Sequence, residues 1–582
     1  MYLELAVIIM IIQGIGVSKG IAISKIIKLK SESLTVTSEK IVDIEKEIAK
    51  FREAVNSVII ELQAIRDLTV KEIDEKHAKI FDAYIEFADD PEISGEVEEL
   101  IRNEKYNCAY ALNVVEKSYL KMFKSMEDGY LKERVVDFKD VIKKITSSIL
   151  GFSTISLKEL KTKVIIVAND LSPSDAAQLN KSKVEGIITN VGSKTSHIAI
   201  MARSLKIPAI VGAKNITNIV HDGDMVLFDG FDGKIIVSPS EEDIETYKHK
   251  RQEQIKFDKI IDTFSEKESY TLDKKLVELA SNIGGPEDLS NAIKSSADGV
   301  GLYRTEFLYM NKTNFPTEEE QFRDYKIVLQ NMKNKKVIIR TLDIGGDKTL
   351  SYLKMDKEVN PFLGHRAIRL CLDNIPLFKT QLRALLKASI YGNLSIMFPM
   401  ISTIDELRQA KEILNECKKE LQNEGVKVSH EVKVGMMIEL PSSAILADQF
   451  AKEVDFFSIG TNDLIQYSFA ADRTNEKVAY LYQPLNPVIL RLIKMVVEAG
   501  HKEGIWVGVC GEAASVQETA AIYLGLGIDE FSMNSSSILT IKFLFSKLKY
   551  SDMVEISNEC LNKSTESQVE KIISAYLKKI YY

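Results

Sequence analysis

The chain has 582 residues, too many for one core: at about 150 residues per domain it holds roughly four units, or two to three if one is a large barrel. Hydrophobic residues at 45% and charged residues at 27%, with 29 Gly and 12 Pro, are ordinary globular usage and exclude a fibrous or disordered chain. A formal charge of -8 argues against a nucleic-acid-coating protein, which needs a basic face, so any phosphate handled here is expected to be small and locally bound.

Cys108, Cys371, Cys417, Cys510 and Cys560 lie far apart with no CxxC pair. Reduced thiols, as in the cytoplasm, are the expectation. The apolar stretch Leu5 to Ile12 is too short to cross a bilayer and has no basic leader or cleavage site, so no membrane association is expected. A second start codon at Met10 leaves open whether residues 1–9 are needed.

Residues Gly14 to Leu29 are rich in Ile, Val and Gly and read as strand. From Thr37 to Leu150 apolar residues recur at helical spacing among Glu and Lys, with a break at Asp90-Pro91. Beyond Gly151 the runs KVIIVAND, VEGIITN, IPAIVG, MVLFDG and KIIVSPS return to β character. Together with Gly14 to Leu29 they predict one α/β domain interrupted by a helical block. The charged segment 241–265 reads as a connecting helix.

From about residue 270, apolar runs beginning at Val277, Gly299, Val337, Leu394, Val432, Asp455, Trp506 and Asp529 alternate with amphipathic helices. Eight such βα units are the number that closes a TIM barrel, whose chemistry sits just after the strands. Those positions hold Arg304, Arg340 with Asp343, Glu439, Asn462 with Asp463, and Cys510, while Arg366 and Arg473 follow in the loops after the third and sixth runs. Arginine forks match phosphate and carboxylate oxygens, and Glu439 and Asp463 are hard oxygen donors on neighbouring strands. The set fits a small phosphorylated carboxylic acid bound through Mg2+. A single arginine is ordinarily a surface ion pair; four at one barrel mouth are not. Cys510 reads either as a buried small hydrophobe or as a proton donor to an enolate.

In GSKTSHIAIMARSLKIPAIVG (Gly192 to Gly212) a polar turn leads into an apolar helical run, which puts His197 at a helix N-terminus. Free backbone N–H groups there favour negative charge, and a neutral imidazole is a competent nucleophile near neutral pH. His365 reads as a brace for Arg366.

The segments around His197, DLSPSDAAQLN, GLYRTEFLYM, RTLDIGGDK, NPFLGHRAIR, FFSIGTNDLIQYSFAADR and GVCGE resemble the Enzyme I family of phosphoenolpyruvate-protein phosphotransferases, which start the bacterial sugar phosphotransferase relay. The resemblance runs from about residue 13 to 545. It implies an α/β multidomain fold: a swivelling phosphohistidine α/β domain (1–30 and 151–240) with a helical insertion that binds the carrier HPr (31–150), a linker helix (241–265), and a (β/α)8 TIM barrel that binds phosphoenolpyruvate and forms the homodimer (266–582). It further implies that His197 carries the phosphoryl group, that Arg304, Arg340 and Arg473 bind phosphate, that Arg366 and Asn462 contact substrate, that Glu439 and Asp463 hold Mg2+, and that Cys510 donates the proton. Arg134, in DGYLKERVVDFKD, falls at the HPr contact. The chain departs from the family with GSK where GGR is common and with CGEAASV after the barrel cysteine, where CGEMAGD is usual. A dikinase or phosphoenolpyruvate synthase would need an added ATP-binding domain, for which there is neither a P-loop nor spare length. A non-catalytic phosphoenolpyruvate sensor would be expected to have lost one of the site residues, all of which are present.

Overall fold

The computed structural model describes residues 10–29, 36–72, 75–125, 129–151, 160, 162–180, 182–193, 196–310, 312, 314–346, 348, 350, 352–353, 358–473, 475 and 477–581; of His197 and Arg134, among a few others, only the backbone is described. The chain divides into two compact units, Met1–Lys256 and Phe257–Tyr582.

In the first unit eight strands form one sheet: β1 (Met10–Gln13), β2 (Ile15–Ser18), β3 (Ile21–Lys28), β4 (Val164–Ala168), β5 (Val184–Thr189), β6 (Ala209–Val211), β7 (Met225–Asp229) and β8 (Lys234–Val237). Their order is β1-β8-β7-β3-β4-β5-β6-β2. Only Gly14 separates β1 from β2, yet these strands stand at opposite ends of the strand order, so the sheet curls until its two edges lie side by side and the chain crosses between them at Gly14. Glycines make the crossing possible. A Cβ at Gly16 would lie 2.3 Å from the Gly230 carbonyl oxygen, and one at Gly233, where φ is +76°, would lie 2.2 Å from that of Gly14.

Between β3 and β4 the chain runs through five helices: α1 (Ile44–Glu72), α2 (Glu75–Ala88), α3 (Pro91–Glu104), α4 (Cys108–Ser125) and α5 (Gly129–Leu150). The break at Asp90-Pro91 is a helix start. The Asp90 carboxylate accepts from the backbone N–H of Glu92 and Ile93, and Pro91 fills the first helical position, where no N–H is needed. Phe51, Leu62, Phe81, Tyr84, Val97, Leu112 and Phe138 give this block a core of its own, apart from the two that cover the sheet. The block is tied to the sheet layer where the Ser174 hydroxyl of α6 (Pro173–Ala177) donates to Asp140 of α5 at 2.7 Å. Past α7 (His197–Leu205) and α8 (Ile216–Ile219), the charged α9 (Glu241–Asp262) runs out of the first unit into the second. Lys250 and Arg251 anchor it to Asp229 and Glu185, and Phe257 packs edge-on against Phe543.

The second unit is a closed barrel of eight parallel strands: β9 (Glu278–Ile283), β10 (Val300–Arg304), β11 (Lys336–Arg340), β12 (Asn393–Phe398), β13 (Lys433–Ile438), β14 (Phe456–Ile459), β15 (Trp506–Val509) and β16 (Glu530–Met533), with β16 returning to β9. Each starts within one residue of an apolar run read from the sequence. The interior is packed rather than open: Leu302, Ile338, Met397, Met437, Phe456 and Cys510 cluster inside it. At the N-terminal end, Lys336 bridges Glu278 and buried Glu530 at 2.6 and 2.7 Å and lies 3.7 Å over the Trp506 ring, which stacks on Phe456. Removing one partner of such a buried pair costs about 3–5 kcal/mol, so this end reads as structural and leaves the chemistry to the other. All five cysteines are buried and free, and among the described residues no helix is long and apolar enough to cross a membrane.

Candidate active site

At the C-terminal ends of the barrel strands lies a cavity of about 570 Å³. Of the residues expected at the site, Arg304, Arg340, Glu439, Asn462, Asp463, Arg473 and Cys510 line it. They come from five strands and the segments that follow them, which is why no short sequence window contains the site.

The cations differ in how they are held. Arg340, 5% exposed, meets Glu306 at 2.7 Å and Asp343 at 3.0 Å. Lys348 reaches the same two carboxylates at 2.8 and 3.1 Å. Against the upward push of burial, Arg340, Lys348 and Arg366 together hold Asp343 well below the usual carboxylate range. Arg304 and Arg473, by contrast, make no ion pair among the described residues. The Arg304 guanidinium lies 4.9 Å from the centre of the Phe307 ring, and burial pulls its pKa down. These are the two guanidinium groups left to meet an incoming anion.

Arg366 is 2% exposed and is not among the cavity-lining residues. Its Nη2 donates to Asp343 at 2.9 Å and its Nη1 to the Tyr467 hydroxyl at 3.3 Å, and the same Nη1 stands 3.7 Å from Asp463. The Gly345-Gly346 turn admits it: a Cβ on Gly345, where φ is +111°, would lie 2.4 Å from Cβ of Arg366. His365 does not brace this arginine through its ring, which sits 3.5 Å from the Asp373 carboxylate instead.

Glu439 and Asp463 face the cavity; Glu439 has no ion pair among the described residues, and Asp463 only the long one to Arg366 at 3.7 Å. Glu439, 1% exposed just after β13, has Oε1 held by the backbone N–H of Met400 at 2.6 Å. Its Oε2 makes no hydrogen bond among the described residues, and neither does Oδ1 of Asp463. Burial, reinforced by Asp463 and Asp343, pushes Glu439 up to about 8. Buried carboxylate oxygens of this kind are rare unless they serve a ligand. A divalent cation with oxygen preference would satisfy both oxygens and remove the repulsion, so the residues fit Mg2+. Nε of Arg304 and Nε of Arg340 are likewise buried without an acceptor.

Cys510 directly follows β15, 4% exposed, with its thiol directed to the Ile459 carbonyl at 3.7 Å. Burial pushes it up to about 12, so it keeps its proton at neutral pH. After it, Glu512 and Ser515 remain at the cavity, whereas Val516, where the family usually has a carboxylate, is 47% exposed.

In the first unit, His197 is the first residue of α7. The preceding Ser196 does not cap the helix; its hydroxyl donates to the Ser193 carbonyl at 2.9 Å, so among the described residues no side chain caps the first-turn N–H groups. Arg134 lies in α5. Lys194, the departure in the loop before the histidine, lies outside the described residues.

Family models for PEP-utilising enzymes match along most of the chain: the N-terminal domain at residues 13–134, the mobile domain at 160–233 and the PEP-binding domain at 259–550. The phosphoenolpyruvate-protein phosphotransferase of Listeria monocytogenes is 50% identical over 97% of this chain and 99% of its own length. The chain belongs to the phosphoenolpyruvate-protein phosphotransferase family. The relatives of that name from Priestia megaterium and Staphylococcus carnosus are 50% and 49% identical, each over 97% of this chain and 99% of their own.

Sequence reasoning had not singled out several residues that this family member places at its cavity. Glu306 and Lys348, which neutralise and are neutralised by Arg340 and Asp343, stand inside the motifs TEF and GGDK and carried a signal that was read only for its arginines. Asn282 is the last residue but one of the first barrel strand, and its side chain donates to the Cys510 carbonyl at 3.1 Å. The strand-end rule points to it. Tyr482 carried no sequence signal.

Proposed function

We propose that the barrel cavity binds phosphoenolpyruvate with Mg2+, that His197 attacks its phosphorus, and that the phosphoryl group then passes to the histidine of the carrier HPr in the cytoplasm, with the barrel forming a homodimer. The observation that carries this reading is the set of buried groups without hydrogen bonds in one cavity: Nε of Arg304 and Arg340 as donors, and Glu439 Oε2 and Asp463 Oδ1 as acceptors. Donors and acceptors left open together suit a ligand that brings both anionic oxygens and a metal.

Glu439 and Asp463 would hold the ion, which when bound offsets the negative charge that the transferring phosphate and the enolate share. Arg304 and Arg473 take the phosphate with Arg340, whose position is set by Glu306 and Asp343. Arg366 supports the wall through Asp343, and Asn462 contacts the substrate. The P–O bond of the substrate breaks as the N–P bond to His197 forms, with the electron pair left on the enolate oxygen. Cys510 gives its proton to the enolate methylene carbon, which yields pyruvate and a thiolate that solvent reprotonates. Incubation with radiolabelled phosphoenolpyruvate and Mg2+ should leave acid-labile, base-stable label on the protein; no label would overturn the reading.

Cys510→Ser is expected to slow pyruvate formation in a single turnover, because a serine hydroxyl is a much weaker acid, while the half-saturating substrate concentration changes little. Equal rates in the two proteins would make Cys510 a packing residue.

One histidine has to meet two partners in turn, the barrel's substrate as phosphoryl donor and HPr as acceptor, with Arg134 on the helical block at the second meeting. The α/β domain therefore swivels, with α9 as its connection. A fragment ending at Lys256 should exchange phosphate with phospho-HPr yet take none from phosphoenolpyruvate. Labelling of that fragment by phosphoenolpyruvate would contradict the division of labour.

A further inference from the structure

We infer that Tyr482 is a positioning residue that fixes the side-chain amide of Asn462 with its oxygen turned away from the bound anion and its NH2 group turned toward it. The inference rests on the proposed binding of phosphoenolpyruvate in this cavity. Asn462 stands in the first turn of the helix Thr461–Phe469, next to Asp463, and both Asn462 and Tyr482 line the cavity.

An asparagine amide carries an acceptor at one corner and a donor at the other, and the two corners are nearly equal in size, so packing alone does not choose between them. Here the chemistry of the neighbours chooses. Asn462 Oδ1 accepts from the Tyr482 hydroxyl at 2.7 Å and lies 3.4 Å from the backbone nitrogen of Glu512. A backbone N–H can only donate, so that corner has to be the oxygen, and the tyrosine hydroxyl beside it then donates as well. The NH2 group makes no hydrogen bond among the described residues and is left for the cavity. Toward phosphate or carboxylate oxygens this is the attractive face; the flipped amide would present an oxygen and repel.

Of the two bonds that hold the orientation, the one from Glu512 is long and weak, so the phenolic one carries most of the preference. Tyr482 is supplied by the segment that follows Arg473, whose own backbone N–H donates to Gln466 Oε1 at 3.1 Å on the same helix. The segment that carries an anion-binding arginine thus also orients an anion-binding amide.

The test uses the full chain with Mg2+ and measures the pre-steady-state labelling rate against phosphoenolpyruvate concentration. Tyr482→Phe keeps the ring and removes one hydroxyl. Its half-saturating concentration is expected to rise about tenfold, the value of one hydrogen bond to a charged group, while the limiting rate stays within about threefold. The deciding arm is a double mutant. In an Asn462→Ala background, or Asn462→Leu should the alanine variant unfold, there is no amide to orient, and Tyr482→Phe should then add nothing. An unchanged half-saturating concentration in Tyr482→Phe, or a penalty that persists undiminished in the double mutant, overturns the inference while leaving the proposed function standing. An unmodified protein that takes no label from phosphoenolpyruvate defeats both.

Discussion

His197→Ala is expected to take no label at all from phosphoenolpyruvate. The barrel can bind substrate and polarise it, but the phosphoryl group needs a nucleophile, and Cys510 does not serve as one, since burial pushes it up to about 12 and it keeps its proton at neutral pH. The start of α7 supplies what the cavity lacks, a histidine at a helix N-terminus whose N–H groups have no side-chain cap among the described residues. Loss of the imidazole should therefore remove the reaction rather than slow it. Binding should survive: phosphoenolpyruvate with Mg2+ is expected to raise the melting temperature of the variant as it does that of the unmodified chain, since the ligand's site lies in the barrel. Normal labelling of the variant would sink the assignment of His197.

Asp463→Ala and Glu439→Gln should each cut labelling by about three orders of magnitude or more, because metal charge stabilisation is worth several kcal/mol and each factor of ten corresponds to about 1.4 kcal/mol. The effect should be separable from folding. Glu439 is pushed up to about 8 by burial together with Asp463 and Asp343, so the folded chain resists ionising it. In the unfolded chain it ionises freely above its ordinary pKa near 4.3. Without metal, Glu439 thus destabilises the fold, increasingly as pH rises from about 4.3 to 8. Metal-free Glu439→Gln should melt at the same temperature as the unmodified chain or higher at pH 7.5, with the difference vanishing in acid. A variant that is inactive because it is unfolded, or one that turns over normally at limiting Mg2+, would contradict the assignment.

The sequence by itself determined the order of secondary elements. The eight barrel strands start within one residue of the apolar runs, because a strand buried on both faces must be apolar along its length and so is marked by composition alone. The helix start at His197 and the break at Asp90-Pro91 were visible for a similarly local reason: polar turns and proline act within a few residues. Even the strand-end residues could be named, since barrel topology says where to look.

Only the tertiary structure decided how those residues are paired. Arg340, Arg366, Arg304 and Arg473 look alike in the sequence, yet Arg340 is held by Glu306 and Asp343 and Arg366 by Asp343, whereas the last two make no ion pair among the described residues. The same holds for the Asn462 amide, whose orientation depends on Tyr482 twenty residues away, and for β1 and β2, adjacent in sequence but at opposite edges of their sheet. Local sequence encodes where an element begins because its determinants are short-range. Charge pairing and hydrogen-bond direction depend on which side chains the closed barrel brings within about 3 Å, and hydrogen bonds and ion pairs fall off too steeply with distance to leave a trace in linear spacing.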